Sequence, residues 1–302
     1  MQEPLVSIGA INYNNSKYVI DTLNSIKAQS YSNIELVVID DCSTDNSPAL
    51  IEQWLKNYNA PFRFIKHEKN RGVCVACNSA LNNASGKYVS IIATDDMMMP
   101  DKIKRQVEIL ESSADDVCGV YSDSYLIKED SSHRFGMFIQ RFGDYEDAPS
   151  GWIFEELLKR NFIGDFTMLV KHKCYKEIGN YDEALKFEDY DMLLRLSQKY
   201  KIIFSDYVST KYRVRANSLT STRQLWNPSR IRIYSKYVKD SAIAIKQIEN
   251  IAMHAYSDNE KESLALLVPV KNYSKRISYI VIFWRLKLPA LLGRVLLKIL
   301  LG

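Results

Sequence analysis

The sequence predicts an α/β protein, a mostly parallel sheet with helices on both faces, followed by a mostly helical C-terminal extension. Three observations carry that expectation. Strand and helix patterns alternate through the first 125 residues with short connections between them. Ile34–Ile39 is a near-continuous apolar run, as a strand buried on both faces should be. After Thr220 the pattern is helical to the end.

Val6–Ile11 is the first short apolar run, and Lys17–Gln29 follows with Val19, Leu23 and Ile26 at helical spacing. Ile34–Ile39 is β-branched and nearly unbroken. Ser47-Pro48 reads as an N-cap with proline at the first helical position, ahead of an apolar face of Leu50, Ile51, Trp54, Leu55 and Tyr58. Phe62–Lys66 is a third strand. A helix from about Val73 places Cys77, Ala80, Leu81 and Ala84 inward, with Gly86 as its stop. Tyr88–Ala93 is a fourth strand, Asp101–Glu111 a charged amphipathic helix, and Val117–Ile127 a further strand. In the less regular middle, Trp152–Arg160 and Tyr190–Tyr200 look helical and Ile202–Tyr207 extended.

At 302 residues, with 46% hydrophobic and 25% charged residues, the chain buries a full core, which excludes disorder. Charge is unevenly placed. Residues 223–302 hold 14 Lys/Arg against five Asp/Glu, whereas the preceding residues are acidic overall. That asymmetry suits a protein meeting an anionic surface, and no nucleic-acid motif accompanies it, so nucleic acid is not an expected partner. The last stretch, 277–302, is apolar with Arg285, Lys287, Arg294 and Lys298 interspersed, and Pro289 interrupts it. Its longest charge-free run is far short of the roughly 20 residues that span a bilayer. The expectation is a basic, interfacial amphipathic segment; a helix docked on the protein itself or on a partner subunit is the competing reading.

Five cysteines, an odd number, suit a reducing compartment. Cys74 and Cys77 have C-x-x-C spacing, but no second ligand pair accompanies them, and they read as small core residues of a helix. The N-terminus carries no secretory pattern, so the expected location is cytoplasmic, peripheral at the inner face of the cell membrane.

Polar or acidic clusters follow each of the first four strands: Asn12-Tyr13-Asn14, Asp40-Asp41, Asn70-Arg71-Gly72 and Thr94-Asp95-Asp96. In a parallel sheet all four reach the carboxyl edge, where open α/β sheets bind ligands. Tyr13 offers a stacking face, Asp41 an acceptor for an imide N–H, and Arg71 a donor to a base carbonyl. Asp95 and Asp96 are hard oxygen ligands suited to Mg2+ or Mn2+ bridging to phosphates. Asp45 and Asp101, each just before a helix, read as caps. His67, His133, His172 and His254 have no assigned role, and Met97-Met98-Met99 reads as packing beneath the site.

These segments, with Gly86–Asp96, Gly179–Glu183 and Phe187–Leu196, resemble the family 2 glycosyltransferases of the Rossmann-like GT-A fold over residues 4–215. The resemblance implies a nucleotide-sugar donor, a divalent metal (Mn2+ or Mg2+) and inversion at the anomeric carbon. Tyr13, Asp41 and Arg71 would then hold the base, Asp95 would lie near ribose and metal, Asp96 would be the principal metal ligand, and Asp189 the catalytic base. A UDP-sugar donor and a glycan or lipid-linked saccharide acceptor in bacterial surface-polysaccharide synthesis are expected. The chain departs from the family pattern twice. Ala93 stands where the family's first acid of Asp-x-Asp-Asp usually lies, and Arg215 stands where Tyr-Arg-x-His has its histidine. Both bear on metal affinity, and a relative that binds nucleotide or glycan without transfer is the competing reading. A sugar nucleotidyltransferase would need a Gly-rich loop after the first strand, which residues 11–15 lack. The expected organisation is a catalytic domain over 1–220 (nucleotide half 1–125, acceptor half 126–220) and a helical region over 221–302.

Overall fold

The computed structural model describes residues 3–131, 133–143, 147–215 and 223–301, without the side chains of 223–225. The chain forms two compact units, one of residues 1–183 and 187–216, the other of 184–186 and 217–302. The boundary expected at 220–221 lies outside the described residues.

In the first unit β1 (Val6–Asn12), α1 (Val19–Lys27), β2 (Ile34–Asp40), α2 (Ser47–Leu55), β3 (Phe62–Lys66), α3 (Val73–Asn83) and β4 (Tyr88–Ala93) succeed one another as β-α repeats. Strands β3, β2, β1 and β4 lie side by side and parallel, so their carboxyl ends share one edge. All seven residues of β1 and of β2 are buried, which explains their mostly apolar character. Edge strand β3 is only partly covered.

The chain continues through β5 (Met97–Met98), α4 (Lys102–Glu111), β6 (Val117–Ile127), β7 (Arg134–Met137), α5 (Phe154–Lys159), β8 (Leu169–Lys171), α6 (His172–Ile178), α7 (Asp189–Lys199) and β9 (Lys201–Arg213). The sheet order is β3-β2-β1-β4-β8-β6-β9-β5, with β7 paired to β6. Strand β8 runs antiparallel to both β4 and β6, and β5 antiparallel to β9, while β6 and β9 are parallel. The sheet is therefore parallel only where β-α repeats build it and mixed beyond β4.

Local details differ from the sequence reading. Helix α3 ends at Asn83, ahead of Gly86. Gly86 is needed for closeness instead: a Cβ there would lie 2.7 Å from the Ser7 nitrogen and 2.8 Å from the Leu5 carbonyl oxygen. Asn46, rather than Ser47, holds the N-cap position of α2. Strand β9 is 13 residues long, more than twice the length its apolar core suggests, because β6 pairs along it.

The second unit is helical: α8 (Arg223–Ser235), α9 (Ala242–Ser257), α10 (Lys261–Leu266), α11 (Lys275–Arg285) and α12 (Ala290–Leu301). Helix α9 packs against α8, α11 and α12. Serine side chains cap two of these helices: Ser241 accepts from Ala244 N–H at the start of α9, and Ser274 from Arg276 and Ile277 N–H at the start of α11. Among the described residues no helix is long and apolar enough to cross a membrane.

Candidate active site

One buried network ties the carboxyl ends of β1, β2 and β4 together. Asn12 Nδ2 donates to Asp40 Oδ1 (2.6 Å) and Ser47 Oγ (2.8 Å), and its Oδ1 accepts from Thr94 Oγ1 (2.7 Å). Asp40 also accepts from the Ser43 backbone N–H (3.0 Å). Its carboxylate is thus engaged in holding the loop. Asp45 accepts from Ser16 and Ser47 N–H, a turn role. Asp101 occupies the N-cap position of α4, yet its carboxylate accepts from Ser30 Oγ instead of the helix's own N–H groups.

Tyr13 leaves this network 46% exposed, its ring open to a stacking partner. Asn14 (φ 53°) and Cys42 (φ 61°) are both left-handed, and they directly follow Tyr13 and Asp41. Non-glycine residues held there cost on the order of 1 kcal/mol each, and such residues concentrate at functional sites.

Asp41 is 3% exposed and heavily engaged. Its carboxylate accepts from the Arg71 N–H (2.9 Å) and the Gly72 N–H (2.8 Å), and its Oδ1 meets His67 Nδ1 at 2.7 Å. The other ring nitrogen of His67 meets Ser79 Oγ of α3 at 2.9 Å. Gly72, at φ 88°, lets the chain turn into α3 with its N–H aimed at that carboxylate. Asp41 therefore clasps the Asn70–Gly72 loop, and the Arg71 side chain stands exposed beside it. Sequence reasoning missed His67, although its place at the end of β3 was an available signal.

Asp95 and Asp96 occupy the turn between β4 and β5. Asp96 is 3% exposed and accepts from the Arg213 N–H (2.8 Å). Burial, and then the charge of Asp95, push its carboxyl well above the usual carboxylate range. Asp95 pairs with Arg215, Nη1 to Oδ2, at 2.7 Å. Arg215 also donates to Asn15 Oδ1, and Arg213 Nε donates to the Asp95 carbonyl. Both guanidinium groups lie over the Tyr18 ring, at 4.5 and 5.4 Å from its centroid. Two adjacent carboxylates, one forced upward by burial and by its neighbour, are a donor set that suits a hard dication. Among the described residues no group of three or more His, Cys, Asp or Glu side chains is placed to hold a metal. Phosphate oxygens and water would have to complete its shell.

A second acidic group gathers at the start of α7. Burial, then the charge of Asp189, raises Asp165 to about 8. Burial, then Asp165 and Asp189, raises Glu188 well above its ordinary value. Burial raises Asp189 to about 6, opposed by hydrogen bonds from the Tyr190 N–H (2.6 Å) and Asn161 Nδ2 (3.4 Å). Asp165 also contributes to the upward shift of Asp96, as the smallest of its causes. Beneath them lies Lys102, fully buried, donating to Ser90 Oγ, Gln106 Oε1 and the Met168 carbonyl at 2.8–3.0 Å. Burial lowers it to about 7, against the attraction of Asp165. Neither Asp165 nor Lys102 was singled out from the sequence.

Asp191, fully buried, pairs with Arg195 Nε at 2.8 Å, and the same guanidinium donates to the Ile178 and Asn180 carbonyls. It ties α7 to the chain beyond α6. Cys74 and Cys77 are buried in α3, carry no disulfide, and are pushed up by burial, Cys74 to about 12. Such thiols are poor nucleophiles and poor metal ligands.

Residues 7–165 match glycosyl transferase family 2. The putative teichuronic acid biosynthesis glycosyltransferase TuaG of Bacillus subtilis is 26% identical over 221 residues, 73% of this chain and 83% of that one. Among solved structures, S. aureus TarS 1-349 in complex with UDP-GlcNAc superposes with a TM-score of 0.67 at 17% identity, covering 92% of this chain and 84% of its own. The mannosyltransferase PcManGT from Pyrobaculum calidifontis, in complex with GDP-Man and Mn2+, superposes with a TM-score of 0.59 at 16% identity, covering 99% and 88%. These two likenesses establish the GT-A type of α/β fold.

Proposed function

Because this chain belongs to glycosyl transferase family 2, and so is a glycosyltransferase, we propose that it transfers a sugar from a UDP-sugar to a saccharide or lipid-linked acceptor, with inversion. The observation that supports this reading is the gathering of Tyr13, Asp41, Arg71, Asp95 and Asp96 beyond the carboxyl ends of adjacent parallel strands, with Tyr13 exposed and Asp41 and Asp96 buried and held by backbone N–H groups. TuaG and the UDP-GlcNAc complex of TarS favour a UDP-linked donor and surface-polysaccharide synthesis.

Tyr13 would stack on the uracil, and Asp41 and Arg71 would read its polar edge. Asp95 and Asp96 would hold Mn2+ or Mg2+, whose positive charge would stabilise the leaving diphosphate. Asp189 would take the proton of the acceptor hydroxyl as that oxygen attacks the anomeric carbon from the face opposite the diphosphate. A carboxylate raised to about 6 is a stronger base than an ordinary one and is still ionised at neutral pH. The basic C-terminal region would hold the protein peripherally on an anionic membrane, the inner face of the cell membrane being the surface where UDP-sugars are available.

A relative that binds nucleotide without transferring sugar is favoured by one observation, the Arg215 cation already seated on Asp95. Incubation with a panel of UDP-sugars separates the two. Transfer predicts UDP release from at least one sugar, stimulated by Mn2+ or Mg2+ and lost in Asp96→Asn. No release from any of them supports the binding-only relative. UDP affinity indifferent to metal and to Asp96→Ala would remove the metal from the reading.

A further inference from the structure

We propose that the corner between α11 and α12 is a docking site for anionic lipid, in which leucines of α12 enter the bilayer and a basic cleft beside them takes a headgroup phosphate. The inference rests on the peripheral-membrane reading above and assigns it to particular residues.

Helix α12 exposes apolar residues on the face where an ordinary surface helix carries polar ones. Gly293 and Leu297, one turn apart, are buried; a Cβ on Gly293 would meet the Tyr256 side chain of α9 at 2.5–2.9 Å. The opposite face carries Leu291 (79% exposed), Val295 (49%) and Ile299 (72%), and Leu286 (65%) continues it at the corner. Polar side chains on α12 are confined to Arg294 and Lys298, at the border of the two faces. Water is a poor partner for such a face, and contiguous apolar surface of this kind marks a contact.

Charge decides what the partner is. From Ser263 to the end the chain has seven Lys/Arg and no Asp/Glu. A protein partner of mixed charge would not require that bias, whereas a second copy would bring the same positive charge against itself. An anionic bilayer satisfies both the leucines and the cations.

The cleft supplies the second, independent observation. A half-open cavity of about 630 Å3 lies at the corner, lined by Lys261, Arg285 and Lys287 together with Trp284, Tyr256 and Asn259. Lys287 adopts φ 54° at the position after α11 where glycine is usual. Its N–H bonds the Trp284 carbonyl (3.0 Å) and the Leu288 N–H bonds the Phe283 carbonyl (3.0 Å), the two bonds that end such a helix. Glycine would fit that backbone without strain, yet the residue there is a lysine that lines the cleft.

The test is sedimentation of the full chain with phosphatidylcholine vesicles, with and without phosphatidylglycerol, and with added inorganic phosphate. The wild type should bind only the anionic vesicles, and inorganic phosphate should not displace it at constant ionic strength. The triple variant Leu291→Ser, Val295→Ser, Ile299→Ser, all on exposed positions, should bind at least about tenfold more weakly. Lys287→Gly should lose about fivefold in binding while its melting temperature stays level or rises, which a merely structural lysine would not show. If the wild type binds and both variants bind equally well, this site is wrong while the membrane reading stands. If the wild type ignores vesicles, both fail; dissociation of a dimer by the triple variant would then show that a second copy covers the face.

Discussion

The Arg215 guanidinium lies 2.7 Å from the carboxylate of Asp95, which with its neighbour Asp96 is a candidate metal ligand. An arginine of this chain thus holds a positive charge where an incoming dication would also be drawn.

Removing that charge should therefore favour metal. Arg215→Gln is expected to bind Mn2+ alone about two- to fivefold more tightly, the range set by a partly exposed ion pair worth up to about 1 kcal/mol. Calorimetry without nucleotide measures it directly. Unchanged or weaker Mn2+ binding would mean that Arg215 does not compete for Asp95.

Asp41 accepts from two backbone N–H groups, so its replacement by an amide has a structural cost. In Asp41→Asn the new amide nitrogen would face an N–H from which it cannot accept. The variant should lose about 1–3 kcal/mol in urea unfolding and weaken UDP binding together. Full stability with weakened UDP binding would confine Asp41 to the nucleotide and remove its clasp role.

Asp165 is raised in the fold from 3.8 to about 8, so the folded state disfavours its ionised form. The folded state then holds more protons than the unfolded one between those values, and stability falls as pH rises across that window. Asp165→Asn should raise the melting temperature at pH 8 and give no such gain at pH 4. An equal change at both pH values would show that the effect is packing rather than charge.

Of the four parallel strands β1, β2 and β4 were legible as short, mostly apolar runs, and β1 and β2 are buried on both faces as such runs imply, whereas edge strand β3 carries Arg63 and Lys66. Tyr13, Asp41, Arg71, Asp95 and Asp96 were legible as the polar residues ending those runs. The rest depended on tertiary placement. Lys102 reads as a surface charge at the start of an amphipathic helix, and only the fold puts three acceptors around its ammonium. Asp165 lies in an irregular segment without periodicity, so nothing local brings it to Asp189. The reversed strand β8 is three residues long, too short for any pattern to give its direction.

The most direct measurement is sugar transfer by Asp189→Asn, with UDP affinity determined on the same protein. Asparagine keeps the shape of the side chain and can still meet Asn161, but it cannot take a proton. UDP binding should be nearly unchanged and transfer should fall about 10²–10⁴-fold, the range for a lost general base. Wild-type transfer should also climb with pH through about 6, where Asp189 ionises. Asp191→Asn, which disturbs the Arg195 pair, should lower stability before it lowers transfer per folded molecule. Near wild-type transfer by Asp189→Asn, with the loss appearing instead in Glu188→Gln or Asp191→Asn, would contradict the assignment of the base.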